Sequence, residues 1–306
     1  MTRDLDSLTY GKWILAGEHA VLRGSPALVF PIYSHYLRMV WEPHSNPLVV
    51  EFKGPYRDEL RIIFWSVVEQ ALSFVDHSRS ELKGKLLLDN HLAIGAGLGA
   101  SAAICVAIGR WWMAMGWLDE AKLYAFAKRL EDLFHGESSG VDIAVSLVGQ
   151  GLQFHRSGDW KSLGIQWQPK WFLSYCGQKG ATSECVGQVK SLISQSPQLG
   201  KEIDIKMQNA VELAQKALTF DSEKGFESLA AAIDQANQCF ESWGLISPEL
   251  RSHMNMLKDS GAVSFKPTGS GGGGYVLSLW RDGPPEHLIK AMIDLSPRKV
   301  AATNFE

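Results

Sequence analysis

Residues 94–103 read IGAGLGASAA, a glycine-rich turn that leads directly into an apolar segment of helix-forming residues. Glycines at 95, 97 and 99 permit positive φ angles, and such angles let backbone N–H groups approach a ligand closely. A helix that begins near Ala100 would direct the positive end of its dipole at the same place. The stretch therefore predicts a phosphate-binding loop that needs no basic side chain.

The loop by itself is compatible with more than one class of protein. A Walker A loop is excluded, because that motif needs a lysine after its last glycine, and Gly99 is followed by Ala100. Gly95, Gly97 and Ala100 satisfy the GxGxxG/A pattern of dinucleotide-binding proteins, but that pattern requires a βαβ unit, and here helix follows helix. A nicotinamide-dependent oxidoreductase and a simple glycine turn before a buried helix stay open at this stage.

Length and charge favour a two-domain protein that acts on small molecules. A chain of 306 residues that is 45% hydrophobic can bury a sizeable core, and we place the domain boundary near residue 168, giving domains 1–168 and 169–306. The formal net charge of −3 supplies no electrostatic footprint for nucleic acid or for an anionic membrane surface. We therefore expect a small-molecule substrate, with no nucleic acid and no membrane as partner.

The predicted location is the cytoplasm. The first residues, MTRDLDSLTYGK, contain no apolar core of signal-peptide length, and no apolar run approaches the roughly 20 residues of a membrane span. The cysteines at 105, 176, 185 and 239 form no CxxC pair, so reduced thiols are expected rather than a zinc site or a disulfide framework.

The order of elements predicts an α+β fold. The first quarter has apolar runs at strand-like spacing, which predict strands at 12–16, 27–32, 36–41 and 48–52; residues 58–75 have helical periodicity, and residues 81–91 are extended. Further helices are predicted over 100–115, 119–135, 138–148, 190–194, 203–218, 226–243 and 248–260. The chain then closes with strand, TGSGGGG, strand, helix and strand.

Ser101, Glu131 and Asp142 are candidates for chemistry on a phosphate. Taken singly, Glu131 is also explained as a carboxylate at the rim of an apolar helix face, and Asp142 as an acidic residue that stabilises a helix N-terminus. Taken together, a serine hydroxyl and a glutamate are hard oxygen donors suited to Mg²⁺, which prefers one or two protein ligands plus phosphates and waters. Asp142 would then be free to act as a base.

Several segments resemble, in sequence order, the motifs of the GHMP small-molecule kinases and, within them, the mevalonate kinases. Residues 11–24, GKWILAGEHAVLRG, resemble the first motif, and residues 94–103 resemble the ATP-phosphate motif PxxxGLGSSAA. Residues 266–275, KPTGSGGGGY, resemble the C-terminal glycine motif, and HGESSGVDIAVS at 135–146 adds the acidic element. Because these segments span most of the chain, the match is much more specific than a lone glycine loop.

The resemblance implies a two-lobed α+β GHMP kinase fold, with an N-terminal mixed-sheet lobe that carries the ATP loop and a ferredoxin-like C-terminal lobe. It implies an enzyme that uses Mg²⁺ and takes ATP as co-substrate. The expected reaction is phosphorylation of the primary hydroxyl of mevalonate to 5-phosphomevalonate, a step of isoprenoid synthesis. A homodimer is the oligomer that the family implies.

Carried onto this sequence by position, the resemblance also implies a role for each motif residue. Ser101 and Glu131 would be the Mg²⁺ ligands. Asp142 would accept the proton of the substrate hydroxyl, and Lys12 would stabilise the developing alkoxide. The expected acceptor contacts are Glu18, His19, Thr182 and Gly271. The expected contacts with the phosphates of ATP are Gly95, Ala96, Gly97, Leu98, Gly99, Ala100 and Ser101.

Departures from the family pattern leave the identity of the acceptor open. Ala100 replaces the first of the two serines after GLG, ESSG replaces NPSG before Asp142, and LTYGK replaces APGK before the first strand. Phosphomevalonate kinase, mevalonate 3-kinase and a sugar kinase therefore stay as alternatives, although GEHAVLRG differs from the GEHTDYN of galactokinases. A non-catalytic sensor with the same fold is a further alternative, which the retention of all four catalytic and metal-binding candidates disfavours.

Overall fold

The computed structural model describes residues 3–136 and 138–296 of the chain. These residues form two compact units. The second unit comprises Leu15–His19 and the described residues from Gly164 onward, and all other described residues belong to the first. The short segment Leu15–His19 thus groups with the C-terminal half of the chain and not with its sequence neighbours.

The first unit contains a mixed six-stranded sheet. Its strands are β1 (Leu5–Ala16), β2 (Ala27–Pro47), β3 (Val49–Lys53), β4 (Lys83–Asn90), β5 (Leu152–Phe154) and β6 (Trp160–Ser162). The order across the sheet is β3-β4-β2-β5-β6, and β1 pairs with β2. Strands β3 and β4 run parallel, whereas β2 is antiparallel to both β4 and β5. The long strand β2 therefore lies between β3 and β4 on one side of the sheet and β5 and β6 on the other.

The helices of the first unit build its main core around one apolar helix. They are α1 (Arg57–Ser73), α2 (Ala100–Met115), α3 (Leu123–His135) and α4 (Val141–Val148). Helix α2 is buried on most of its surface and packs against β2, α3 and α4. Its side chains join residues of β2, β4, α1 and α3 in one hydrophobic cluster. A helix that is apolar on nearly all sides is stable only when other elements cover it. Packing against β2, α3 and α4 therefore holds α2, and with it the N-terminus next to the glycine loop, in place.

The second unit contains a four-stranded antiparallel sheet with the ferredoxin-like strand order. Its strands β7 (Lys170–Tyr175), β8 (Ser264–Pro267), β9 (Tyr275–Trp280) and β10 (Met292–Asp294) lie in the order β10-β7-β9-β8. Its helices are α5 (Thr182–Gln195), α6 (Pro197–Ala217), α7 (Ser222–Ser242), α8 (Pro248–Asp259) and α9 (Glu286–Ile289). Helices α6 and α7 pack along each other, and both α7 and α8 contact β8.

The predicted α+β class is confirmed, and so are the mixed sheet and the ferredoxin-like sheet. Helix α2 occupies the predicted range, and the closing order of strand, glycine run, strand, helix and strand is also found. One prediction differs: the runs at 27–32 and 36–41, expected as separate strands, are parts of the single strand β2. That strand continues because β5 pairs with its first part and β4 with its second.

A second prediction differs in detail. The helix expected over 119–135 opens as a 3-10 turn at Glu120–Lys122, and α3 itself begins at Leu123. The side chain of Asp119, the expected N-cap, makes no cap hydrogen bond.

The four cysteines are free thiols. Within the described ranges, no helix is both long enough and apolar enough to cross a membrane.

Candidate active site

The glycine loop lies between β4 and the N-terminus of α2. Gly95, Gly97 and Gly99 adopt φ angles of 73°, 81° and 79°, the left-handed region that the sequence predicts for them. Gly95 and Gly97 are exposed, and a Cβ at either position would meet no heavy atom within 4 Å. Because the first amides of an α-helix have no intrahelical partner, α2 presents N–H donors directly beside this accessible loop. The arrangement is suited to binding an anion.

Lys12 is held beside the loop by two contacts. Its backbone N–H donates to the carbonyl oxygen of Leu98 at 2.8 Å, which joins β1 to the loop. Its side chain passes Gly99 so closely that a Cβ at Gly99 would lie 2.7 Å from Lys12 Cγ. Both contacts set the direction in which the ammonium group points.

Asp142 forms an ion pair with Lys12. Lys12 Nζ lies 3.0 Å from Asp142 Oδ2, and the two side chains are 7% and 23% exposed. Asp142 stands in the first turn of α4, as predicted, and α4 follows Gly140, whose φ is 81°. A Cβ at Gly140 would collide with the hydroxyl of Tyr124, so glycine is needed where the chain turns into α4.

Glu131 is a buried carboxylate on α3, with 2% of its surface exposed. Among the described residues, its Oε2 atom has no hydrogen-bond partner. Burial first, and then the charge of Asp142, raise the pKa of Glu131 from its usual value of 4.5 to about 8. The raised pKa means that the ionised form of Glu131 is unfavourable while no cation is bound. A bound cation would stabilise that form, so Glu131 is suited to a cation site.

Ser101 lies in the first turn of α2, and Cys105 follows one turn later on the same face. Burial raises the pKa of the Cys105 thiol, and the charge of Glu131 raises it further. Helices α2 and α3 also pack directly against each other. Ser101 and Glu131 therefore belong to facing helices, with Ser101 at the end that adjoins the glycine loop.

This donor set fits Mg²⁺. A serine hydroxyl beside the loop and a buried carboxylate oxygen that no other described residue bonds are hard ligands, and Mg²⁺ takes its other ligands from phosphate and water. Within residues 3–136 and 138–296, no three or more His, Cys, Asp and Glu side chains are grouped to hold a metal by themselves. A cation at Ser101 and Glu131 would therefore depend on phosphate oxygens to complete its shell.

The first unit thus assembles an anion-binding loop, a candidate cation site and a Lys–Asp pair. Lys12 contacts the loop at Leu98 and Gly99 and also pairs with Asp142. An aspartate can accept a proton from a hydroxyl, and a lysine beside it can stabilise the negative charge that develops on oxygen. The combination is suited to transfer of a phosphoryl group to an alcohol.

The residues predicted to contact an acceptor form a separate cluster in the second unit. His19 Nε2 lies 2.8 Å from the carbonyl oxygen of Ser270, and Thr182 Oγ1 lies 3.3 Å from Ser270 Oγ. Gly271 follows directly, with a φ of 80°, and a Cβ there would press on the ring of Phe240. Ser270 therefore connects His19 and Thr182 at the C-terminal glycine loop.

Glu18 forms a buried ion pair with Lys266. The two side chains are 1% and 0% exposed, and Lys266 Nζ also lies 5.3 Å from the centre of the Phe240 ring. Lys266 stands in β8, shortly before the C-terminal glycine loop. The pair therefore attaches Leu15–His19 to the strand that leads into that loop, and Glu18 faces a lysine and not solvent.

His19 has a strained backbone within this cluster. Its φ is 54°, in the left-handed region that is costly for a residue other than glycine. Its ring lies 5.1 Å from the ring of Trp243 and contacts it edge-on. Such a conformation persists only where the surroundings hold it, and the neighbouring Glu18–Lys266 pair together with the Ser270 contact supplies that restraint.

Sequence reasoning missed three residues of this second cluster: Lys266, Ser270 and Trp243. Lys266 and Ser270 both stand inside the segment KPTGSGGGGY, which was singled out for its glycines alone. A lysine within a short strand, directly before the glycine run, was the available signal that a buried charge needs a partner. Trp243 carried no signal, because its role depends on a contact with His19, far away in the sequence.

Comparison with known proteins finds similarity to GHMP kinases and, among them, to mevalonate kinases. A family model described as the N-terminal domain of GHMP kinases matches residues 65–150, which include the glycine loop, Glu131 and Asp142. The mevalonate kinase of Thermococcus sibiricus is 27% identical over 88% of this chain and 86% of that protein. The mevalonate kinase of Aeropyrum pernix is 26% identical over 97% of this chain and 94% of that protein.

Solved structures share the fold along nearly the whole chain. The structure of L. major mevalonate kinase in complex with R-mevalonate has a TM-score of 0.74 at 24% identity, covering 91% of this chain and 90% of that one. Methanococcus jannaschii mevalonate kinase has a TM-score of 0.69 at 17% identity, covering 92% of each chain. The similarity therefore includes both sheets described above.

Proposed function

We propose that this chain is a kinase of the GHMP superfamily that transfers the γ-phosphoryl group of ATP to the primary hydroxyl of mevalonate. The products are 5-phosphomevalonate and ADP, a step of isoprenoid synthesis. Relatives named mevalonate kinase match this chain over most of their own length, so the proposal concerns the whole protein.

The observation that carries the proposal is the contact between Lys12 and Asp142. Their charged atoms lie 3.0 Å apart, and Lys12 also contacts the phosphate-binding loop through Leu98 and Gly99. A base and a cation are therefore held together next to the place where phosphates would bind. A sensor that only binds ligand needs no such pair.

In the proposed reaction, Asp142 accepts the proton of the primary hydroxyl while the hydroxyl oxygen forms a bond to the γ-phosphorus. The bond between the γ-phosphorus and its bridging oxygen breaks, and ADP leaves with that electron pair. The ammonium group of Lys12 stabilises the negative charge on the attacking oxygen. Positioning and charge neutralisation supply most of the acceleration in such a transfer, because the protein forms no covalent bond to the phosphoryl group.

Ser101 and Glu131 would hold Mg²⁺. When bound, the ion neutralises charge on the β- and γ-phosphate oxygens of ATP. Residues 95–101, with the first turn of α2, would contact the phosphates through backbone N–H groups. Ala100 keeps its backbone N–H, so the missing hydroxyl at that position removes a side-chain donor and leaves the backbone contacts in place.

For the acceptor, we propose contacts from His19, Thr182 and Gly271, which the Ser270 contacts group together. The burial of Glu18 against Lys266 supports a positioning role for Glu18, through the backbone of its neighbour His19.

We also propose that residues 1–168 and 169–306 are the N- and C-terminal kinase domains. The cytoplasmic location and the homodimer are proposals as well. Light scattering of the purified protein tests the last of these.

The deciding experiment is ADP release, measured with a coupled assay, from Mg·ATP and each of mevalonate, phosphomevalonate, galactose and homoserine. An acceptor-free blank corrects for ATP hydrolysis. We expect turnover with mevalonate alone. The proton-coupled ³¹P spectrum of the product then identifies the site: a primary phosphate ester couples to the two protons of its CH₂ group, whereas a phosphate on the tertiary carbon couples to none.

Three results would contradict the proposal in different ways. Turnover of phosphomevalonate without turnover of mevalonate would identify a later kinase of the same family. An uncoupled phosphorus signal from the mevalonate product would identify a 3-kinase. Binding of Mg·ATP without turnover of any of the four acceptors would favour another acceptor or a sensor.

A further inference from the structure

One edge of β1 makes contacts at alternate residues. Leu8 and Tyr10 each accept a hydrogen bond at the carbonyl oxygen, and Lys12 donates one through its backbone N–H. Alternate residues of a strand direct their backbone groups to the same edge. The partners come, in order, from α2, α4 and the glycine loop, so this edge aligns three elements of the candidate site.

Arg110 of α2 connects this strand to α4. Its Nη1 donates to the carbonyl oxygen of Leu8 at 2.9 Å and to Ser7 Oγ at 3.0 Å, and its Nη2 donates to the carbonyl oxygen of Leu147 at 2.8 Å. Leu147 belongs to the last turn of α4, where carbonyl groups lack intrahelical partners and attract a positive charge. A single guanidinium group therefore bonds both to the strand of Lys12 and to the helix of Asp142.

Ser146 adds a second tie between the same two elements. Its hydroxyl donates to the carbonyl oxygen of Tyr10 at 3.1 Å, and the residue is 1% exposed. Helix α4 has 8 residues, with Asp142 in its first turn and the tied residues in its last. In so short a helix, a small rotation about the tied end would displace the carboxylate at the other end.

We propose that Arg110, assisted by Ser146, is a positioning residue for phosphoryl transfer: it sets the distance between Asp142 and Lys12 by tying α4 to β1. The inference rests on the proposed function, because it takes this pair as the base and its cationic partner. Lys12 keeps its own tie to Leu98. Loss of Arg110 therefore displaces Asp142 relative to a lysine that stays in place.

The test compares Arg110→Met with Arg38→Met. Arg38 is the matched control because it also bonds to β1, through Nε to Asp6 Oδ1 at 2.9 Å, but does so from β2 and at an exposed position. For each variant we would measure the melting temperature, kcat, and KM for ATP and for mevalonate. A crystal structure gives the distance between Lys12 Nζ and Asp142 Oδ2.

For Arg110→Met we expect kcat to fall about 10- to 100-fold, because a misplacement of about 1 Å can cost that much. KM for both substrates should stay within about threefold, because the pair acts in the transition state more than in substrate binding. The Lys12–Asp142 distance should exceed the present 3.0 Å. Arg38→Met should retain its kcat and this distance. Arg110→Lys should recover part of the kcat, since one ammonium group replaces some of the donors.

A kcat for Arg110→Met within twofold of the parent, measured well below its melting temperature, would overturn the inference, as would an unchanged ion-pair distance. If Arg110→Met does not fold, Arg110→Lys and Ser146→Ala provide the same comparison with smaller changes. If the parent protein phosphorylates none of the acceptors, the proposed function fails by itself. The crystallographic distance in the Arg110 variant then still decides whether Arg110 positions Asp142.

Discussion

The main chain at Gly99 lies directly against the aliphatic part of the Lys12 side chain. A Cβ at Gly99 would lie 2.7 Å from Lys12 Cγ, closer than carbon atoms pack without strain, and 3.4 Å from Lys12 Cε. The glycine thus serves two purposes, since it adopts a positive φ at the N-cap of α2 and leaves room for the lysine that reaches Asp142.

Gly99→Ala should therefore impair catalysis more than it impairs folding. The left-handed φ costs an alanine about 1–2 kcal/mol of unfolding free energy, and the new methyl group displaces Lys12 in addition. We expect kcat to fall at least about 10-fold. Steady-state kinetics and denaturant unfolding measure the two effects.

Gly116→Ala is the control for this prediction. Gly116 caps the other end of α2 with the same φ of 79°, and a Cβ there would meet no heavy atom within 4 Å. It should lose a similar unfolding free energy and keep its kcat. Equal loss of kcat in both variants would show that backbone strain, and not the lysine contact, is responsible.

Asp142→Asn should abolish most of the turnover while Mg·ATP still binds. The amide cannot take the hydroxyl proton, and loss of a general base lowers kcat by about 10²- to 10⁴-fold. Isothermal titration with a non-hydrolysable ATP analogue and Mg²⁺ would check binding, and the coupled assay would check kcat. Asp119→Asn, which alters an exposed Lys–Asp pair outside the site, is the control. A kcat near the parent value would remove Asp142 from the role of base.

Glu131 should make the stability of the protein without Mg²⁺ and ATP depend on pH. Because its pKa is raised from 4.5 to about 8, the folded protein keeps a proton between these values that the unfolded chain has lost. The unfolding free energy should therefore fall as pH rises from about 5 to 8, with a slope approaching 1.4 kcal/mol per pH unit. Urea unfolding across this range measures the slope.

Glu131→Gln is the variant that assigns this pH dependence. It carries no titrating group, so its slope should be smaller than that of the parent, and it should be the more stable protein at pH 8 when ligands are absent. Asp142→Asn should also reduce the slope, because the charge of Asp142 is the second cause of the raised pKa. A slope that is the same in all three proteins would assign the effect to another group.

Lys266→Met should destabilise the protein strongly. It leaves the carboxylate of Glu18 buried without its lysine, and breaking a buried pair in this way costs about 3–5 kcal/mol. The double variant Glu18→Gln and Lys266→Met removes the stranded charge and should recover part of that loss. Arg281→Met, which breaks the exposed pair with Glu227, should change the unfolding free energy little. Equal losses in the single and double variants would contradict this account.

Much of the fold follows from local sequence. The apolar segment at 100–115 and the glycines that precede it predict α2 and its loop at the observed positions. The position of Asp142 in the first turn of α4 also follows from the adjacent glycine. These features depend on backbone preferences and on spacing of a few residues, which a sequence displays directly.

The sequence by itself determined the α+β class, the glycine loop and the residue types available for phosphoryl transfer. Tertiary structure decided the contacts between distant residues: Lys12 and Asp142, which the family resemblance assigns to the same hydroxyl, form an ion pair, Glu18 pairs with Lys266, and Arg110 bonds to both β1 and α4. The reason is physical. Conformational preference acts over a few neighbouring residues, whereas an ion pair or a buried hydrogen bond forms only after packing of the apolar core has brought distant segments together.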